Sequence, residues 1–182
     1  MARKEMVSRS FLINTAFDMM CQEGLENVTA RKLAARAGCS TQPIFRLYAS
    51  MEDLWRELFE LAVEYFEDYY KEMPEADNPP FVNLGIAYIR FAMEESHVFK
   101  MLFLDEQRWG KSLYEMLNGR EGNLTKEINA AKAAGCKSTG ELFTKMWIFI
   151  HGAACMSITG DYDLEEEETV RLLRSVYTAF SG

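Results

Sequence analysis

The chain has 182 residues, 48% of them hydrophobic and 13% aromatic, with 11 methionines and a net charge of −8. That is enough apolar material for a real core, and it excludes a disordered chain. The longest uncharged stretch, Met146 to Gly160 with His151 neutral, is shorter than the ~18 apolar residues a bilayer span requires, and Arg3, Lys4 and Glu5 precede no long apolar run, so neither a membrane span nor a signal peptide is expected and the chain is placed in the cytoplasm.

Cys21, Cys39, Cys136 and Cys155 form no CxxC pair, and only two histidines accompany them. Reduced structural thiols and no metal or cofactor are expected from that spacing. The acidity argues against nucleic acid as a partner of the whole surface. It is unevenly spread, however: residues 1–54 hold seven Lys/Arg against six Asp/Glu, and the remainder holds 13 against 22.

In chain order, Ser8 to Glu23 places Phe11, Leu12, Ala16, Met19 and Met20 at a helical period that stops at Gly24. Thr29 is positioned to cap a second, short helix with Leu33, Ala34 and Ala37 on one face, ended by Gly38. Ser40 is expected to cap a third, with Thr41, Gln42 and Pro43 in its first turn, where the missing proline N–H has no intrahelical partner to lose. Ser50 opens a long fourth helix through Met73 with Leu54, Trp55, Leu58, Phe59, Ala62, Tyr65, Phe66 and Tyr69 as its stripe, and PEADNPP at 74–80 is the clearest break. Further helices are expected at roughly 80–95, 97–104, 108–118, 123–134, 138–159 and 164–180, with no convincing strand. Ser138 with Glu141, and Asp163 with Glu166, stand at capping-box spacing before the last two.

Two short helices joined by Gly38-Cys39-Ser40 have the form of a helix-turn-helix, whose second helix enters the major groove of DNA. Ile44 and Tyr48 are four apart and suit the core, which leaves Thr41, Gln42, Phe45 and Arg46 to project elsewhere. Gln reads adenine through two hydrogen bonds, Arg reads guanine or holds phosphate, and Thr or Pro touches a thymine methyl. Arg31, early in the second helix, is also placed to reach the duplex.

The stretch VTARKLAARAGCSTQPIFRLYASMEDLWREL, 28–58, resembles the N-terminal domain of the TetR family of transcriptional regulators. The resemblance implies an all-α protein of about nine helices, with a three-helix DNA-binding head at 1–50 and a ligand-binding and dimerisation domain at 51–182, helix 51–73 joining them. It implies a ligand-responsive regulator, a repressor that binds a palindromic operator as a homodimer, and not an enzyme. Thr29 resembles the phosphate-contacting residue that starts the second helix and Arg31 a base-reading one, while Ser40, Thr41, Gln42, Pro43, Phe45 and Arg46 fall on the recognition surface. The chain departs from the family at Phe45, where a phosphate-binding tyrosine is usual, and at Met51, where a lysine is usual. Each loss weakens backbone affinity, and Arg46, Arg3, Lys4 and Arg9 are expected to compensate.

In MWIFIHGAAC, 146–155, Trp147, His151 and Gly152 follow the order of a TetR C-terminal subtype named for its Trp-His-Gly signature. Helix 138–159 is apolar nearly all round, and helix 164–180 aligns Leu164, Val170, Leu173, Val176, Tyr177 and Phe180, so the pair is expected to pack against the same pair of a second chain. Trp147 and His151 are expected to line a cavity with Phe91, Met101, Phe103, Trp109 and Met116 for a small apolar or aromatic ligand. A small thiol or hydrolase enzyme using His151 and Cys155 is the competing reading, and a helical interaction dimer that does not bind DNA is another. DYDLEEEE, 161–168, lacks the glycine and terminal glutamate spacing of a calcium loop and reads as acid at a helix N-terminus.

Overall fold

A computed structural model describes residues 7–74 and 76–181. Among them are ten α-helices and no strand: α1 (Arg9–Glu23), α2 (Ala30–Arg36), α3 (Gln42–Leu47), α4 (Met51–Glu72), α5 (Val82–Glu94), α6 (Ser96–Phe99), α7 (Leu113–Asn118), α8 (Asn123–Ala133), α9 (Thr139–Thr159) and α10 (Glu166–Phe180). The all-α class is therefore as expected. The chain packs as two compact units, one holding the described residues up to Val63 with His97–Trp109, the other holding Glu64–Ser96 and the described residues from Gly110 onward. The first unit thus runs past residue 50, takes in the first half of α4 and recruits a later segment.

In the first unit, Ser8 Oγ accepts from Phe11 N at 3.1 Å to start α1, and Gly24, at φ +88°, ends it with its N–H donating to Met20 O at 2.9 Å. Leu12, Ala16 and Met20 of α1, Leu33 of α2, Ile44 of α3 and Leu54 and Leu58 of α4 are all fully buried. One fully buried apolar side chain contributes roughly 1.5–3 kcal/mol, so this shared core fixes three short helices that would not persist alone. Ser50 Oγ accepts from Asp53 N at 3.2 Å and starts α4.

The helix expected at 97–104 is present as the single turn α6 continued by a π-helical turn, Lys100–Leu104. The one expected from 108 begins only at Leu113, because Trp109 and Gly110 adopt φ +44° and +88°, outside the helical region.

In the second unit, α5 packs on α9 and α10, α9 also on α8 and α10, and α7 on α8. Gly85 permits the first contact: a Cβ there would stand 2.9 Å from Ile150 Cδ1 and 3.2 Å from Leu173 Cδ1. The expected caps of the last helices are corrected. Ser138 occupies the N-cap of α9 but makes no capping bond, and Glu141 pairs with Lys145 at 2.7 Å instead. The capping box of α10 is Glu165 with Glu168, two residues after Asp163, and an unforeseen one, Ser112 with Glu115, starts α7. Helix α9 is long and apolar enough to cross a membrane by length and composition, because the span extends back past Lys145 and Glu141; it packs on three helices here.

Candidate nucleic-acid interface

Helix α2 starts where Thr29 Oγ1 accepts from Lys32 N at 3.3 Å. It ends in a tight turn in which Cys39 N donates to Ala34 O at 2.9 Å and Gly38 sits at φ +64°, a conformation glycine adopts without steric cost. Thr41, with helical backbone angles and no side-chain capping bond, is the N-cap of α3, one residue later than the expected Ser40. Pro43 falls in the first turn, as its missing N–H demands.

Ile44 and Tyr48 are buried, so the opposite surface of α3 is turned outward. Gln42, Phe45 and Arg46 are exposed there, Phe45 by 51%, with Thr41 and Pro43 half-buried beside them and Ser40 exposed in the turn. Thr29 and Arg31 are exposed at the start of α2.

The cations of this unit divide into committed and uncommitted. Arg9 pairs with Glu57, its Nε donating to Glu57 Oε2 at 2.9 Å, and its guanidinium lies 4.6 Å above the Tyr48 ring. Lys32 donates to Asn27, and Arg36 to Gln22 and Glu23. Among the described residues, Arg31 and Arg46 have no such partner, so both are available to a polyanion. Arg9 is therefore poorly placed to compensate for Phe45 and Met51, while Arg3 and Lys4 lie outside the described residues.

The sequence reading missed Trp55 as a positioning residue. Its indole Nε1 donates to Val28 O at 3.1 Å, which pins α4 to the residue before Thr29. A half-buried tryptophan needs a partner for its N–H, and that requirement was the available signal.

Residues 12–58 match the family model described as bacterial regulatory proteins, tetR family. The match spans the three short helices of the head and the start of α4. The fold of the whole chain is TetR-like: it is similar to the crystal structure of a TetR-like transcriptional regulator from Rhodococcus sp. RHA1, with 12% identity, TM-score 0.64, and 94% of this chain and 96% of that one covered. A second structure, of a transcriptional regulator from the same organism, gives 16% identity and TM-score 0.61 over 96% of each chain. No curated relative matches the sequence.

Beyond the head, the seven residues proposed to line one ligand cavity fall into both units. Met101, Phe103 and Trp109 belong to the first, where Phe103 lies 5.1 Å from Phe99 and Trp109 5.1 Å from Phe59, ring to ring. The Trp109 indole N–H is buried with no hydrogen-bond partner among the described residues. Phe91, Met116, Trp147 and His151 belong to the second. Phe91 is buried against Phe66 and Tyr69, and Tyr88 packs on Trp147 and His151.

None of the seven borders the opening of about 520 Å³ in the second unit, whose lining includes Tyr70, Met73, Ile86, Arg90, Lys126 and Arg174. His151 Nε2 stands 3.6 Å from Cys155 Sγ. Burial pushes the Cys155 thiol up, opposite to the shift that activates a nucleophile.

Proposed function

We propose that the protein is a homodimeric transcriptional regulator, a repressor that binds an inverted-repeat operator and is released by a small ligand. The observation that carries the reading is the pair of exposed, uncommitted arginines, Arg31 and Arg46, flanking Gln42 on a helix-turn-helix within the stretch that matches the TetR family. Thr29, Ser40, Thr41, Pro43 and Phe45 complete the surface offered to the duplex, with Gln42 and Arg31 reading bases and Thr29 and Arg46 holding backbone.

Dimerisation is supported by α9 and α10. Ile148 and Met156 are exposed by 68% and 47%, and on α10 only Thr169 and Leu173 are buried. An apolar face this bare suits a partner surface, and a two-fold axis supplies the symmetry an inverted repeat needs. The Trp147, His151, Gly152 order supports assigning the body to the Trp-His-Gly subtype, and the cytoplasm is the compartment where such a protein meets DNA.

Ligand binding is supported by the opening beside Tyr70 and Arg90, whose lining joins apolar to charged side chains. An effector with an aromatic body and a polar group fits it better than a wholly apolar one. Ligand then favours the form in which the two α4 helices hold the heads at a separation that no longer matches successive major grooves, a population shift whose size equals the ligand's differential affinity.

Selection of random duplex DNA by the purified protein tests the reading. An inverted repeat with half-sites one helical turn apart, about 34–36 Å, or a multiple of it, is expected. A pool without enrichment at low and moderate salt contradicts it.

A further inference from the structure

His151 and Cys155 lie one turn apart on α9, with imidazole Nε2 3.6 Å from thiol Sγ. A tetrahedral ion bonded to nitrogen at about 2.0–2.1 Å and to sulfur at about 2.3 Å sets its two ligand atoms about 3.6 Å apart. The two atoms already stand at that edge length. On the far side of the ring, Nδ1 is 2.9 Å from the hydroxyl of Tyr88, which is fully buried on α5. With Nδ1–H donating to Tyr88 Oη, Nε2 is left unprotonated on the Cys155 side of the ring, which is the tautomer a metal requires. Trp147 stacks on the imidazole at 5.4 Å and 21°, fixing the ring plane.

Two ligands make half of a site, and among the described residues no third His, Cys, Asp or Glu joins them. The missing half has an obvious approach. The row beside His151 and Cys155 is Ile148, Gly152 and Met156, all exposed, and nothing lies within 4 Å of where a Gly152 Cβ would stand. A second α9 can therefore come closest at Gly152, next to the two ligand atoms. A two-fold axis there presents the same imidazole and thiol from the other chain.

We infer that His151 and Cys155 are half of a Cys₂His₂ site for a zinc-class divalent ion, completed by the same two residues of a second copy, with Tyr88 orienting the imidazole. Two nitrogen and two sulfur donors in tetrahedral array select zinc among the common divalent ions. Each Cys155 gives up its thiol proton on binding, so two protons leave for each ion taken up. The inference rests on the homodimer proposed above and adds an ion to its seam.

The full-length protein, reduced and stripped with chelator, is titrated with Co²⁺, and its mass is measured by sedimentation before and after. The expected result is saturation at one ion per two chains, with the visible d–d bands and thiolate charge-transfer band of a tetrahedral complex, displaced by Zn²⁺. Cys155→Ser and His151→Asn each abolish the charge-transfer band, whereas Cys39→Ser leaves it unchanged. Tyr88→Phe keeps the ring and the helical spectrum but weakens ion binding about 10–100-fold. A dimer that takes up no Co²⁺, or one ion per chain, or a spectrum indifferent to Cys155→Ser, overturns the site and leaves the dimer standing. A chain that stays monomeric with and without the ion overturns both.

Discussion

Glu67 is a buried carboxylate of the second unit, 6% exposed, and it organises the turn between α7 and α8. Its Oε1 accepts from the backbone N–H groups of Arg120 at 2.6 Å and Glu121 at 3.3 Å, and its Oε2 from Arg120 Nε at 3.1 Å. Glu67→Ala strands two backbone donors, each costing roughly 1–3 kcal/mol when left unsatisfied, and opens a small void, so a loss of about 3–5 kcal/mol is expected. Glu67→Gln keeps Oε1 as the acceptor for the backbone but turns an amide NH2 toward Arg120 Nε, so it loses that one hydrogen bond, for about 1–2 kcal/mol.

Gly119 supplies an independent check on that turn. It sits at φ +54°, and a Cβ would stand 2.9 Å from Glu67 Cδ. Gly119→Ala therefore costs backbone strain of roughly 1–3 kcal/mol together with a clash in the wild-type background, but only the strain once Glu67 is alanine. Urea denaturation of the four proteins of the cycle reads this directly. A Glu67→Gln variant as unstable as Glu67→Ala, or strictly additive Gly119→Ala and Glu67→Ala effects, would refute the reasoning.

Gly85→Val is expected to destabilise by roughly 1–3 kcal/mol, since its side chain meets Ile150 and Leu173, both buried; thermal unfolding checks it. The Tyr48 phenol is pushed up to about 12, by burial first and then by the Glu57 carboxylate. An unfolded tyrosine ionises near ~10, so the folded state holds the extra proton between those values and stability falls as pH rises through that window. Tyr48→Phe should flatten that alkaline decline in denaturation midpoints measured between those pH values. Arg46→Ala should lower the slope of log affinity against log salt for non-specific duplex by about 0.9, the signature of one lost phosphate contact, and an unchanged slope would place Arg46 off the backbone.

The head was legible because its signals are local. Gly24, Thr29, Gly38 and Pro43 each act within one turn of their own position, and Ile44 and Tyr48 disclose the inward face by spacing alone. What escaped the sequence depends on partners distant along the chain. Arg9 looked available until Glu57 and Tyr48 were placed beside it, and Trp55 looked like plain stripe until Val28 O met its indole.

Residues 97–104 are helical as expected, through α6 and the π-helical turn, but 108–112 are not, since Trp109 and Gly110 stand at positive φ and α7 starts only at Leu113. Ring contacts also join partners distant along the chain: Phe91 packs on Phe66 and Tyr88 on Trp147, while an opening in the second unit is bordered by Arg90, Lys126 and Arg174. The caps of the last two helices show the limit of spacing rules. Several acids run together at 161–168, and only the start of α10 decides which pair closes the box.

The central claim is that the head reads sequence through Arg31 and Gln42. The most direct measurement is the affinity of wild-type and Arg31→Ala/Gln42→Ala protein for the selected inverted repeat and for unrelated duplex, at one fixed salt. The account predicts that the double substitution brings the selected site down toward the unrelated duplex, a loss of about 1–3 kcal/mol per base contact in each half-site, with the unrelated duplex far less affected. Equal losses on both duplexes, or none on the selected one, would contradict it.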